Sequence, residues 1–240
     1  MIYLISPDIS NVPAQNKIIK GFIMEIEKLL SHVDHTLLKP VSTWEQICEL
    51  CDDAIRFNTA SVCVPPCYVK RIHDTYKDRL KICTVIGFPL GYCTAEVKVC
   101  ETKQAVLEGA DEIDMVINIC EVKNGNFDLV KEEIEAVREA CKGHILKVII
   151  ETCYLTEDEK IKLCKIVTEA GADHIKTSTG FGTGGATHED VKLFKENIGE
   201  GVKIKAAGGI TTLEDMEQYL SEGCDRIGTS RAVGILKNKA

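Results

Sequence analysis

The chain has 240 residues, 45% of them hydrophobic and 5% aromatic, and carries a formal net charge of -8. That size and apolar content suit one large core, while the acidic balance and scarce aromatics argue against a general binder of nucleic acid or anionic membrane. No apolar run approaches the roughly 20 residues of a membrane span, and the opening MIYLISPDISNVPAQNK lacks the basic-then-apolar order of a secretion signal, so a cytoplasmic protein is expected.

Residues 1–20 read as a tail or leading helix. The first strand signal is HVDHTLL at 32–38. Behind it, Ile47, Leu50, Cys51, Ala54 and Ile55 fall at helical spacing, opened by a capping-box pattern from Ser42 to Glu45. This stripe puts Cys51 in a core and takes the Cys48–Cys51 CxxC out of contention as a metal motif. No second CxxC, spaced His pair or HExxH completes a zinc set. The twelve cysteines are scattered along a chain without a secretion signal, and reduced thiols and no bound metal are expected.

The remaining strand signals are ASVCVPP (60–66), KICTVIGFP (81–89), DEIDMVIN (111–118), ILKVIIET (145–152), DHIKTST (173–179), VKIKAAGG (202–209) and DRIGTS (225–230). Helix-like segments such as TAEVKVCETKQAVLEG and DLVKEEIEAVREACKG lie between them, acidic early and ending in Gly. Eight strands alternating with helices predict a parallel sheet, and within this length a (β/α)8 barrel over 21–240 fits better than an open doubly wound sheet. No low-complexity linker divides it.

Strand side chains alternate between the helix layer and the lumen. With Ile113, Met115 and Ile117 facing the helices, Glu112, Asp114, Val116 and Asn118 face inward; with Val202, Ile204 and Ala206 outward, Lys203, Lys205 and Ala207 face inward. The same parity supplies Lys147 and Glu151 from strand five, His174, Lys176 and Ser178 from strand six, and Asp34 and Thr36 from strand one. The lumen therefore collects Asp34, Asp114, Lys147, Glu151, Lys176 and Lys205, toward the end where barrel enzymes build their sites. A buried ion network explains any one of these charges, but six together are too costly for stability alone.

Two lysines beside a carboxylate point to nucleophilic amine chemistry. A lysine attacks carbonyls only when neutral, and at an ordinary pKa of about 10.4 roughly one molecule in 2,500 is neutral at pH 7; half-neutrality needs about 4.6 kcal/mol. Burial and a neighbouring ammonium both act in that direction. Lys176 is thus the candidate imine former, Lys205 the neighbouring cation and Asp114 the group that moves protons through a water. The glycine-rich loops GFGTGG, GGITT and GTSRA follow strands six, seven and eight. In barrels, the loops after strands seven and eight form the usual phosphate site, which nominates Gly208, Gly209 and Ser230.

The combination EIDMVIN, LKVIIET, HIKTSTGF and VKIKAAGGI, preceded by VDHTLLKP, resembles the deoxyribose-phosphate aldolases over about residues 30–235. The resemblance implies a class I aldolase, free of metal and cofactor, that acts in deoxynucleoside catabolism. It would reversibly cleave 2-deoxy-D-ribose 5-phosphate into acetaldehyde and D-glyceraldehyde 3-phosphate. Its partners are then small molecules, a sugar phosphate and acetaldehyde, and a homodimer is left open. Carried over residue by residue, it makes Lys176 the Schiff-base lysine, Asp114 the proton-relay aspartate and Lys205 the second essential lysine. Asp34, Thr36, Lys147 and Gly180 fall in the substrate-binding set with Gly208, Gly209 and Ser230. Members often follow the strand-eight serine with another serine, where Arg231 stands here, and some end in a tyrosine-bearing tail. This sequence ends ILKNKA, and catalysis without a terminal tyrosine is expected. The competing readings are a transaldolase-like or fructose-bisphosphate-aldolase-like barrel, which would cleave a keto-sugar phosphate, and a sugar-phosphate sensor without chemistry.

Overall fold

The computed structural model describes residues 26–237; the tail expected at 1–20 lies outside them. Eight strands, β1 (Val33–Thr36), β2 (Ser61–Val64), β3 (Ile82–Ile86), β4 (Glu112–Val116), β5 (Ile145–Ile149), β6 (His174–Lys176), β7 (Lys203–Ala207) and β8 (Arg226–Thr229), close in chain order into a parallel barrel. Each is shorter than its sequence signal because the final residues leave the ladder to build the loops. Gly87 turns to φ +61° just after β3, and Glu151 turns to φ +55° two residues after β5.

Around the barrel run α1 (Trp44–Phe57), α2 (Val69–Tyr76), α3 (Ala95–Leu107), α4 (Ile119–Lys123), α5 (Phe127–Ala140), α6 (Glu157–Glu169), α7 (His188–Asn197), α8 (Leu213–Glu222) and α9 (Ala232–Lys237). The apolar stripe of α1 is where the spacing placed it, with Ile47, Leu50, Cys51 and Ala54 buried. Its cap differs by one residue. Thr43, not Ser42, is the N-cap, and the reciprocal bonds run between Thr43 and Gln46. The Ser42 hydroxyl instead donates to the Lys39 carbonyl, which leaves Thr43, in extended conformation, to accept from the first turn.

The main core is the cylinder between strands and helices. Ile113, Met115 and Ile117 from β4 and just beyond are fully buried there, as are Val130, Ile134 and Val137 on α5. Each such side chain contributes about 1.5–3 kcal/mol relative to exposure. The lumen is polar by contrast, and its residues are ordered by strand register. Asp114 pairs with Lys147, Lys147 with His174, and Lys176 with Lys205. Lys203 and His174, assigned inward by parity, end at the lower rim, where both reach the Asp225 carboxylate, at 3.2 and 3.1 Å.

Candidate active site

The middle of the lumen holds a closed network of charge. The Lys176 ammonium donates to Asp114 Oδ2 at 2.7 Å, and the Lys205 ammonium donates to the same oxygen at 2.6 Å and to Asp34 Oδ2 at 2.5 Å. Lys147 reaches Asp114 Oδ1 at 2.9 Å and Glu112 Oε2 at 2.5 Å. Arg226 joins Asp34 Oδ1 at 2.6 Å to Glu112 Oε2 at 3.0 Å. The Ser61 hydroxyl donates to Asp34 Oδ1 at 2.7 Å, and the Cys83 thiol lies 3.1 Å from Asp114 Oδ1.

Burial alone would drive these groups neutral, but pairing reverses it. Burial works to raise the carboxyl of Asp114, yet Lys147, Lys176 and Lys205 hold it well below the usual carboxylate range. Asp34 is held down in the same way by Lys205, Lys147 and Arg226. Lys205 is pushed above the ordinary lysine range despite its burial, chiefly by Asp114 and Asp34, and Lys147 likewise by Asp114 with Cys83, Asp34 and Glu112. Three carboxylates thus face four cations. Lys147, Lys205 and Arg226 each touch two or three carboxylates, whereas Lys176 touches Asp114 alone. Lys176 is thus the least tightly paired of the four cations.

Above this floor opens a cavity of about 460 Å³. Its wall includes Thr36, Lys176, Gly180, Gly208, Gly209 and Ser230. Asp34, Asp114, Lys147 and Lys205 are fully buried and lie off that wall, so of the candidate charges Lys176 is the one presented to a molecule entering the cavity. Space for the long side chains comes partly from Gly228 on β8. A Cβ there would sit 3.1 Å from Lys205 Cε and 3.0 Å from Ala207 Cβ. Gly208 is needed for two reasons: its φ is +82°, and the GFGTGG loop folds onto it so closely that a Cβ on Gly208 would lie 3.1 Å from Gly185 Cα. Ala186 N–H donates to Gly208 O at 3.1 Å and fixes that contact.

Glu151 does not join the lysines. Its left-handed backbone turns it away, and its carboxylate accepts from the backbone N–H of Thr179 at 3.2 Å and from the Thr179 hydroxyl, bracing the loop that carries Gly180. Sequence reasoning left out Arg226 and the two cysteines, Cys63 and Cys83. Arg226 was open to discovery, since it shares strand parity with Gly228 and Ser230. Glu112 was placed inward by parity, but its two cationic partners became visible only with the register. Buried thiols and carboxylates gather in two groups, Cys63 with Cys83 and Asp114, and Asp34 with Cys83 and Glu112. In each, an ammonium or guanidinium already occupies the carboxylates.

A closed parallel (β/α)8 barrel whose cavity presents a lysine paired to a carboxylate is an architecture suited to a barrel aldolase. The chain belongs to the DeoC/LacD family aldolases, whose family model matches residues 28–237. It is 65% identical over 216 residues to a deoxyribose-phosphate aldolase of Clostridium botulinum (strain Alaska E43 / Type E3), covering 90% of this chain and 98% of the relative. Among solved structures, an aldolase designated QR15 superposes with a TM-score of 0.83 at 39% identity, over 88% of this chain and 97% of that one. The deoxyribose phosphate aldolase of Aeropyrum pernix superposes with a TM-score of 0.83 at 31% identity, over 95% and 98% of the two chains.

Proposed function

We infer that the protein is a deoxyribose-phosphate aldolase, cleaving 2-deoxy-D-ribose 5-phosphate reversibly into acetaldehyde and D-glyceraldehyde 3-phosphate. The relatives carry the substrate, and one observation carries the assignment of chemistry to residues. Lys176 faces the cavity, and its amine shares Asp114 Oδ2 with Lys205.

Lys176, neutral, adds to the C1 aldehyde of the open-chain sugar, and loss of water gives an iminium. A base removes the proton of the 3-hydroxyl, the C2–C3 bond breaks, and its electron pair flows into the iminium to give an enamine while glyceraldehyde 3-phosphate departs. Protonation of the enamine at C2 and hydrolysis of the new iminium release acetaldehyde and restore the amine. Asp114 and Lys205, acting through a water, are the proton carriers, since both lie within hydrogen-bond reach of one another beside the Lys176 amine. The rim glycines and Ser230 offer backbone N–H groups to the phosphate, and the exposed Arg231, also on the cavity wall, adds a cation.

The test is borohydride trapping with acetaldehyde, read by intact mass and peptide mapping on wild type and on Lys176→Ala. A two-carbon adduct on Lys176, absent from the variant, is expected. An adduct on Lys147 or Lys205, or none at all, overturns the assignment.

A further inference from the structure

Cys83 is a member of the network that the aldol chemistry leaves unused. It lies on β3 in register with Cys63 on β2, and the two sulfurs and an Asp114 oxygen lie within 4.8 Å of one another. On its other side its S–H donates to Asp114 Oδ1 at 3.1 Å, and the Lys147 ammonium donates to its sulfur at 3.4 Å. Burial and the Asp114 charge push the thiol well above its usual range, so Cys83 keeps its proton.

Four donors therefore divide the two oxygens of Asp114. Cys83 and Lys147 hold Oδ1, while Lys205 and Lys176 hold Oδ2. An ionised carboxylate has about four lone-pair sites, and all are engaged. Only the Oδ2 pair includes the lysine on the cavity wall. Rotation of the carboxylate would carry Oδ2 away from Lys176, and the two donors on Oδ1 oppose that rotation.

We propose that Cys83 is a positioning residue for proton transfer: its S–H, together with Lys147, anchors Oδ1 of Asp114 so that Oδ2 stays aimed at the reacting amine. This rests on the role of Asp114 given above. A cysteine serving only as apolar filling, beside Val85, Leu38 and Phe88, makes the opposite demand on its substitutes. Alanine would then be harmless, and serine no better than alanine.

Wild type, Cys83→Ala and Cys83→Ser are compared in three assays. These are cleavage of 2-deoxyribose 5-phosphate, borohydride trapping of acetaldehyde, and exchange of the acetaldehyde C2 hydrogens in D2O, which reports proton transfer to and from the enamine. All three proteins are expected to trap acetaldehyde on Lys176. Cys83→Ala should lose about tenfold or more in both kcat and exchange rate at unchanged KM, the scale of one hydrogen bond to a charged group. Cys83→Ser keeps a donor on the same Cβ and should restore both to within about threefold of wild type. If Cys83→Ala does not fold, Cys83→Val, near in volume and without a donor, is read by the same criteria. Exchange and kcat equal to wild type in the donor-free variant overturn the proposal, as does an equal loss in serine and donor-free variants. A wild type that neither cleaves nor traps refutes the aldolase reading itself, and this one with it.

Discussion

Lys176 and Lys205 stand directly opposite each other on neighbouring strands, and both ammonium groups end on one oxygen of Asp114, at 2.7 and 2.6 Å. Two like charges are held within a few ångströms by a single carboxylate oxygen, so each works against the charge of the other. Asp34 resolves the competition, because it is a second partner for Lys205 and none for Lys176. The arrangement leaves the lysine that faces the cavity with Asp114 as its carboxylate partner and gives the buried one two.

Lys205→Met should therefore cost far more than a hydrogen bond. Without the second ammonium, Asp114 Oδ2 loses one of its two lysine donors and the proposed relay loses one of its two proton carriers. A loss in kcat of about a thousandfold is expected, within the range of a proton-transfer group. Trapping of acetaldehyde should fall in parallel. Trapping at the wild-type level would show that Lys205 is not needed for imine formation. A thermal melt must accompany the assay, since removing one partner leaves Asp34 short of a buried contact, at a cost of about 3–5 kcal/mol.

Much of this was legible in strand parity. Asp114, Lys176 and Lys205 had to face inward once Ile113, Ile175 and Ile204 faced the helices, and the loops after β6, β7 and β8 announced themselves by their glycines. Parity gives direction but not height, so it failed where height decides. Lys203 and His174 share the inward side with Lys205 and Lys176, yet lie at the lower rim on Asp225. Parity also assumes that a strand continues. Glu151 was placed among the lysines because ILKVIIET reads as one strand, whereas the ladder stops at Ile149 and the carboxylate turns to Thr179. The guanidinium of Arg226 tying Asp34 to Glu112 depends on the stagger between strands, which local periodicity does not encode.

The network should also set the acid limit of the fold. Asp34 and Asp114 lie below their ordinary value of 3.8 because, against the effect of burial, the ammonium groups around them favour the charge. The unfolded chain takes up these protons near pH 4 and the folded chain does not. Their contribution is thus complete above that pH and is lost as the pH falls toward the folded values. Melting temperature should be nearly flat from pH 7 to about 5 and fall steadily below about 4. Asp34→Asn should melt lower at pH 7 and show a shallower acid limb. A variant whose acid limb is as steep as that of wild type would place the titration elsewhere.

Gly208→Ala probes the packing of the two glycine loops. A side chain at φ +82° costs about 1–2 kcal/mol, and the new Cβ would lie 3.1 Å from Gly185 Cα, backbone that cannot step aside cheaply. Because Lys176 and Asp114 lie on the strands below, the damage should fall on the phosphate end. KM for 2-deoxyribose 5-phosphate should rise about tenfold, with trapping of acetaldehyde, which has no phosphate, unaffected. Loss of trapping would mean that the loop also holds the lysine in place.

The Arg231 side chain lines the same cavity as Lys176, Gly208 and Gly209. Backbone N–H groups alone bind a phosphate by direction; a guanidinium adds charge and a planar fork that matches two phosphate oxygens. Exposure weakens that contribution, since solvent screens the charge, so Arg231→Ala should raise KM for the phosphorylated sugar by about fivefold, equivalent to about 1 kcal/mol. The same variant should cleave unphosphorylated 2-deoxyribose as wild type does, because that sugar has no phosphate for Arg231 to hold. The ratio of kcat/KM for the two sugars isolates the effect. If that ratio is unchanged in Arg231→Ala but falls in Gly208→Ala, the glycine loop holds the phosphate and Arg231 faces solvent.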